Sequence, residues 1–330
     1  MKRREFIAGA LAIAAATRAS AEERIKPFRV AIVHPVVPAA GIKKLPELQP
    51  FLEELRHLGY VERQNLAIET YSGEGRRERY AEVARAVADD KPDAIVALSV
   101  SMARDVKAVT TTIPILAAVT DPIGFGLVDN LRRPGGNLTG VSLDTGPEIW
   151  SKRLELLREV GQNTSKIGVL TSPVAWERSY GPTLREAARQ LGCAVLYRPI
   201  DSPLGEAEYH RTLEALVQGG ADALLVTDTL ENIVNQHVIR DFAETHRLPA
   251  IFSLPFLAEP GWLLAFGVDL PELIRQLARQ LDQVLRGTSP GEIPVYQATK
   301  FELVVNLKTA KALGLTVPLA LVASADVVIE

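Results

Sequence analysis

Short β-branched runs alternate with longer amphipathic ones along this chain, and they do so in two successive series. The first series has strand-like runs at 29–33, 66–71, 94–98, 115–119 and 138–143. Between them, Phe51, Leu52, Leu55 and Leu58 recur at helical spacing with Gly59 as a stop. Tyr80, Val83, Ala84 and Val87 mark a second helical face, and a helix is expected over about 102–109. The second series has runs at 166–170, 194–197, 223–226, 250–252 and 263–266, separated by helical stretches at 184–191, 209–217 and 233–245. Alternation of this kind specifies parallel strands covered by crossover helices. The fold class is therefore α/β, with two doubly wound parallel-sheet lobes of about five strands each.

The remaining tail is too small for a third unit. It offers a helix at 271–285, a Gly/Pro-containing link at 287–294, a strand at 301–305 and a short helix. These pieces are best used by returning to the two lobes and tying them together. Several crossings leave a cleft with a hinge at its base, and in open sheets of this type ligands sit outside the carboxyl ends of the strands.

The first 21 residues read as a cleaved secretory signal. Lys2, Arg3 and Arg4 are followed by an apolar run at 7–17, too short to span a bilayer, and by Ala19-Ser20-Ala21 as a peptidase site. Arg3-Arg4-Glu5-Phe6-Ile7 also resembles a twin-arginine address, so the export route stays open between the two. No cysteine follows the site to carry a lipid, so no lipid anchor is expected; the product is expected to be periplasmic and monomeric, beginning near Glu22. The whole chain carries 37 basic and 40 acidic residues, and the signal holds four of the former and one of the latter. The mature surface is thus mildly acidic, which argues against sequence-independent binding of nucleic acid. Cys193 is the only cysteine, so no intramolecular disulfide forms; Leu191-Gly192-Cys193-Ala194-Val195 reads as a small buried residue at a helix-to-strand turn.

Several segments are more specific than the periodicity. They include Phe51-Leu52-Glu53-Glu54-Leu55-Arg56-His57-Leu58-Gly59-Tyr60, Thr120-Asp121-Pro122-Ile123-Gly124-Phe125-Gly126-Leu127-Val128 and Arg132-Arg133-Pro134-Gly135-Gly136-Asn137-Leu138-Thr139-Gly140. Lys152-Arg153-Leu154-Glu155-Leu156-Leu157 and Asn306-Leu307-Lys308-Thr309-Ala310-Lys311-Ala312-Leu313-Gly314 follow later. In this order, over nearly the whole mature chain, they resemble the substrate-binding proteins of ABC importers of the tryptophan/tyrosine type. The resemblance implies a type I periplasmic-binding-protein fold with three crossings. It divides the chain into a first lobe of 28–143 plus 269–297 and a second of 144–268 plus 298–330. It also implies delivery of a small organic solute, an amino acid or small aromatic or carboxylate compound, to membrane permease subunits, with no cofactor.

Carried across from that family, the ligand contacts are His34, the Ser99 to Ser101 loop and Asp121 in the first lobe. In the second they are Thr171-Ser172, Thr227-Asp228 and Ser253, with Asp269 near a crossing. Ser99-Val100-Ser101 departs from the Gly-Thr or Ala-Thr usual there; Ser99 and Ser101 flank the position that Val100 leaves without a hydroxyl. A helix opening at this loop suits an anionic group. Each residue also has a structural reading: Ser99 or Ser101 as a helix N-cap, His34 as a satisfied loop histidine, Asp228 as a cap for a helix beginning near Glu231. Trp176, after a strand, is placed either to stack on a flat ligand or to cover the rim of the cleft.

His57, His210, His237 and His246 lack metal-ligand spacing, so no metal is expected. His34-Pro35-Val36-Val37-Pro38 stands where a dinucleotide-binding glycine loop would follow the first strand, and no phosphate-binding loop, nucleophile elbow or His-Glu-x-x-His helix occurs. The expected function is therefore solute capture without catalysis. A periplasmic sensory protein for a receptor would share every one of these features, and a small-molecule enzyme is the more distant alternative.

Overall fold

The computed structural model describes residues 26–143, 146–161, 164–200, 205–258 and 260–330. The expected signal at 1–21 lies outside them. Strands β1 Phe28–His34, β2 Leu66–Ser72, β3 Ala94–Ala97, β4 Ile115–Val119 and β5 Leu138–Ser142 come first. Then follow β6 Lys166–Leu170, β7 Ala194–Tyr197, β8 Ala223–Val226, β9 Ala250–Phe252 and β10 Leu264–Val268. The tail adds β11 Tyr296–Gln297, β12 Phe301–Asn306 and β13 Val327–Ile329. The principal helices are α1 Gln49–His57, α2 Tyr80–Asp89, α3 Val100–Val109, α4 Glu148–Val160, α5 Gly181–Leu191 and α6 Glu206–Gln218. They continue as α7 Leu230–Val234, α8 Gln236–Thr245, α9 Leu270–Leu285 and α10 Leu307–Leu313.

Two sheets result. The first has the order β11-β5-β4-β3-β1-β2 with every pair parallel, and the second the order β13-β12-β10-β9-β8-β6-β7 with only β10 and β12 antiparallel. The molecule is thus two parallel-sheet α/β lobes of periplasmic-binding-protein type. Six and seven strands replace the five expected per lobe, because tail strands extend one edge of each sheet. The two residues of β11 and three of β13 are too short to show a period in the sequence.

Burial explains the central strands. All four residues of β3 and all five of β4 are buried, since helices cover both faces of the sheet, and the sequence there reads as continuous apolar runs. In α9 the buried positions Leu270, Leu273, Ile274, Leu277, Ala278, Leu281 and Val284 form one stripe. That stripe packs on α1 and on β3, β4 and β5, which brings the tail back to the first sheet. Asp269 starts the helix, its carboxylate accepting from the Glu272 N–H at 3.1 Å. Gln280 Nε2 then donates to the carbonyls of Gly140 (3.0 Å) and Pro294 (2.9 Å), fixing α9 to β5. No helix among the described residues is long and apolar enough to cross a membrane.

Candidate functional site

The carboxyl ends of the two sheets face one another across a cavity of about 890 Å³, counted to its solvent-open mouth. From the first lobe the turns after β3 and β4 supply Ser99, Ser101 and Thr120; from the second the turns after β6 and β8 supply Ser172 and Asp228. The rest of the wall is largely aliphatic, with Leu98, Val119, Leu230, Ile233 and Leu254 among its residues. A strand end is where backbone groups leave the ladder and side chains turn outward, which is why these five polar positions converge.

Ser99 is extended (φ −158°, ψ 157°), and its Oγ accepts from the Met102 N–H at 3.2 Å, so it caps α3 at the cavity wall. Ser172 does the same for the short turn after β6, accepting from the Ala175 N–H at 3.2 Å. Asp228 does not cap α7, which opens at Thr229 without a side-chain cap. Its carboxylate instead accepts from Thr120 Oγ1 at 3.0 Å and from the Tyr180 hydroxyl at 2.8 Å. The first of these bonds crosses the cleft.

Asp121 stands beside the cavity and outside its lining. It takes a positive φ of 44°, rare for a residue with a side chain, and its Oδ1 accepts from the Gly124 N–H at 2.8 Å. A Cβ at position 124 would lie 2.1 Å from Asp121 Oδ2, so a side chain there would push the Asp121 carboxylate out of this place. The same Oδ2 accepts from Ser179 Oγ of the second lobe at 2.7 Å, a second bond across the cleft. A third joins Arg77 Nη1 to the Ile200 carbonyl at 3.3 Å.

The other expected contacts lie behind the wall. His34 has no exposed surface; its Nδ1 accepts from the N–H groups of Val36 (3.1 Å) and Val37 (2.9 Å), and burial lowers its pKa to about 4. Thr227 Oγ1 donates to the Leu170 carbonyl at 3.1 Å, and Ser253 Oγ to the Val226 carbonyl at 2.7 Å, both fully buried between strands. Asp269 is engaged as the cap of α9. Trp176 is buried in a helical turn, stacked on Tyr197 with centroids 4.4 Å apart and covered by the Arg185 guanidinium at 4.7 Å. Its ring partner is thus supplied by β7.

Sequence reasoning missed Glu47, Thr120, Tyr180 and Glu231, all of which line the cavity. Thr120 and Glu231 were within reach, because each lies within five residues of a strand end. Tyr180 comes from a helical turn ten residues past β6, held against Trp150 with centroids 4.5 Å apart. Glu47 comes from the turn Pro46–Leu48, far from any strand end. Burial raises the carboxyl pKa of Glu47, and also that of Glu231, where the Arg77 charge opposes the effect only in part. Among the described residues no group of three or more His, Cys, Asp or Glu is arranged to hold a metal ion.

Comparison with known proteins agrees with this fold. A tyrosine-binding protein of Clostridioides difficile is 30% identical over 269 residues, which cover 80% of this chain and 75% of that protein. The crystal structure of a conserved domain protein from Vibrio cholerae superposes with a TM-score of 0.82 at 27% identity, covering 92% of this chain and all of that one. A Streptococcus pneumoniae ABC domain in complex with L-Trp gives 0.80 at 24% identity, with the same coverage. The family model for ABC transporter substrate binding protein matches residues 30–329. Over that length the chain belongs to the family of ABC transporter substrate-binding proteins.

Proposed function

We propose that this protein captures one amino acid with an apolar or aromatic side chain in the interlobe cavity and hands it unchanged to a membrane permease. One observation carries the reading: a carboxylate, Asp228, and a hydroxyl-bearing helix start, Ser99 to Ser101 on α3, share one cavity with an aliphatic wall. The first suits an ammonium group and the second a carboxylate. The 30% identity to a tyrosine-binding protein supports the same solute class. The chain works as an exported monomer, cleaved near Ala21, with lobes of 28–143 plus 269–297 and 144–268 plus 298–330. Solute enters the open cleft, contacts one lobe and selects the closed arrangement, in which both lobes contribute. Asp121 acts here as a clasp between lobes, and His34, Thr227, Ser253 and Asp269 hold the strand ends and the α9 start that shape the wall.

Calorimetric titration of the mature protein with L-tyrosine, L-tryptophan, L-phenylalanine and L-leucine tests this. At least one should bind at one per chain and be recovered unaltered. Asp228→Ala, with folding checked by circular dichroism, should weaken that solute by one to two decades, the equivalent of roughly 1.5–3 kcal/mol for a charged hydrogen bond. Unchanged affinity in the folded variant, or conversion of the solute, would overturn the reading.

A further inference from the structure

The charges on the cavity wall are all of one sign. Glu47 reaches it from the first lobe and Asp228 and Glu231 from the second, while no Lys, Arg or His is among the described residues lining it. Glu231 is only 7% exposed. The cation that acts on it, Arg77, lies outside the lining, and its Nη1 is engaged by the Ile200 carbonyl at 3.3 Å. Glu47 has no charged partner among the described residues. A ligand carboxylate entering this space finds only neutral donors, among them the hydroxyls of Ser99, Ser101 and Ser172 and the start of α3. An ammonium group finds acids as the charged side chains of the wall, Asp228 and Glu47 with Glu231 behind them, and carboxylates are its strongest acceptors. Net negative charge brought up against these carboxyls is penalised by repulsion as well as by its own desolvation, whereas net positive charge relieves the wall.

We propose that the cavity recognises its solute through a protonated primary amine on an apolar body, the ligand carboxylate being dispensable, so that the ligand class extends from amino acids to the corresponding amines. This rests on the reading of the cavity as the solute site. It adds which end of the solute is obligatory.

The test uses matched triplets on the mature protein: L-tyrosine, tyramine and 3-(4-hydroxyphenyl)propionate, then L-leucine, isoamylamine and 4-methylpentanoate. In at least one triplet the amine should bind within about tenfold of the amino acid, and the acid at least about a hundredfold more weakly than the amine. An acid binding as tightly as its amine, or no binding by either amine, overturns the proposal. Amine binding without amino-acid binding would sink the amino-acid reading above and uphold this one. Glu231→Gln and Glu47→Gln should each weaken the amine by about tenfold without weakening the acid. Unchanged amine affinity in both folded variants overturns the role given to these carboxyls. Should either variant fail to fold, the triplets on the unaltered protein decide.

Discussion

His34 shows how a residue can serve the site without touching it. Its unprotonated Nδ1 gathers two backbone N–H groups and so folds the loop that leaves β1 toward the cavity. Protonation would abolish that acceptor, and burial holds the native pKa at about 4, below the ordinary value of 6.5. The unfolded chain therefore binds more protons than the native one between those values. Stability is full above about pH 6.5 and falls as the pH drops toward 4, by up to roughly 3 kcal/mol. Denaturant melts at pH 7 and pH 4.5 should show His34→Gln less stable than the parent at pH 7 but less sensitive to acid; equal acid sensitivity would place the source elsewhere. Glu47 and Glu231 carry the opposite sign. Their raised native pKa values favour the folded state at low pH, and the benefit is lost as the pH climbs above the ordinary carboxylate range. The five polar wall positions at strand ends lay in plain sight in the sequence, four of them named there, because topology alone sends them to the cleft. Glu47 was not legible, because Leu45-Pro46-Glu47-Leu48 reads as an ordinary turn and only tertiary packing brings it to the wall.

Among the elements, the helices and long strands were readable because each buries a face at its own period, α9 most plainly. Arg153 on α4 was not. It lies on a helix with basic and acidic neighbours, yet it is 3% exposed and stacks on Trp150 at 4.5 Å. Its Nε donates to the Phe266 carbonyl at 3.0 Å and its Nη2 to the Ser253 carbonyl at 3.2 Å, pinning the ends of β9 and β10 together. Close approach is also required there, since a Cβ on Gly267 would lie 2.0 Å from the Ser253 carbonyl oxygen. Arg153→Met keeps most of the volume and removes the donors. It should cost on the order of 3 kcal/mol in urea melts, through carbonyls left buried and underpaired. A loss below about 0.5 kcal/mol, the scale of an ordinary surface change, would mean that the pin is idle.

At the scale of the molecule, the lobes meet through Thr120 with Asp228, Asp121 with Ser179, and Arg77 with the Ile200 carbonyl. Ser179 lies outside the cavity lining, so Ser179→Ala leaves the solute contacts in place and removes one clasp. A neutral hydrogen bond is worth about 0.5–1.5 kcal/mol, so the closed population should fall by roughly two- to tenfold. Stopped-flow dissociation should quicken by a similar factor, and the solute-free protein should scatter X-rays with a larger radius of gyration. An unaltered off-rate would count against the clasp. The return of α9 and β11 to the first sheet also orders events in time. Residues 28–143 reach the exit of the ribosome first, yet the helix that covers β3, β4 and β5 and the edge strand beside β5 are encoded between 270 and 297. The lobe begun first is completed only after strands β6 to β10 of the other sheet have been made, so a nascent chain that stops short of α9 and β11 carries bare apolar sheet and must be kept from aggregating until they arrive.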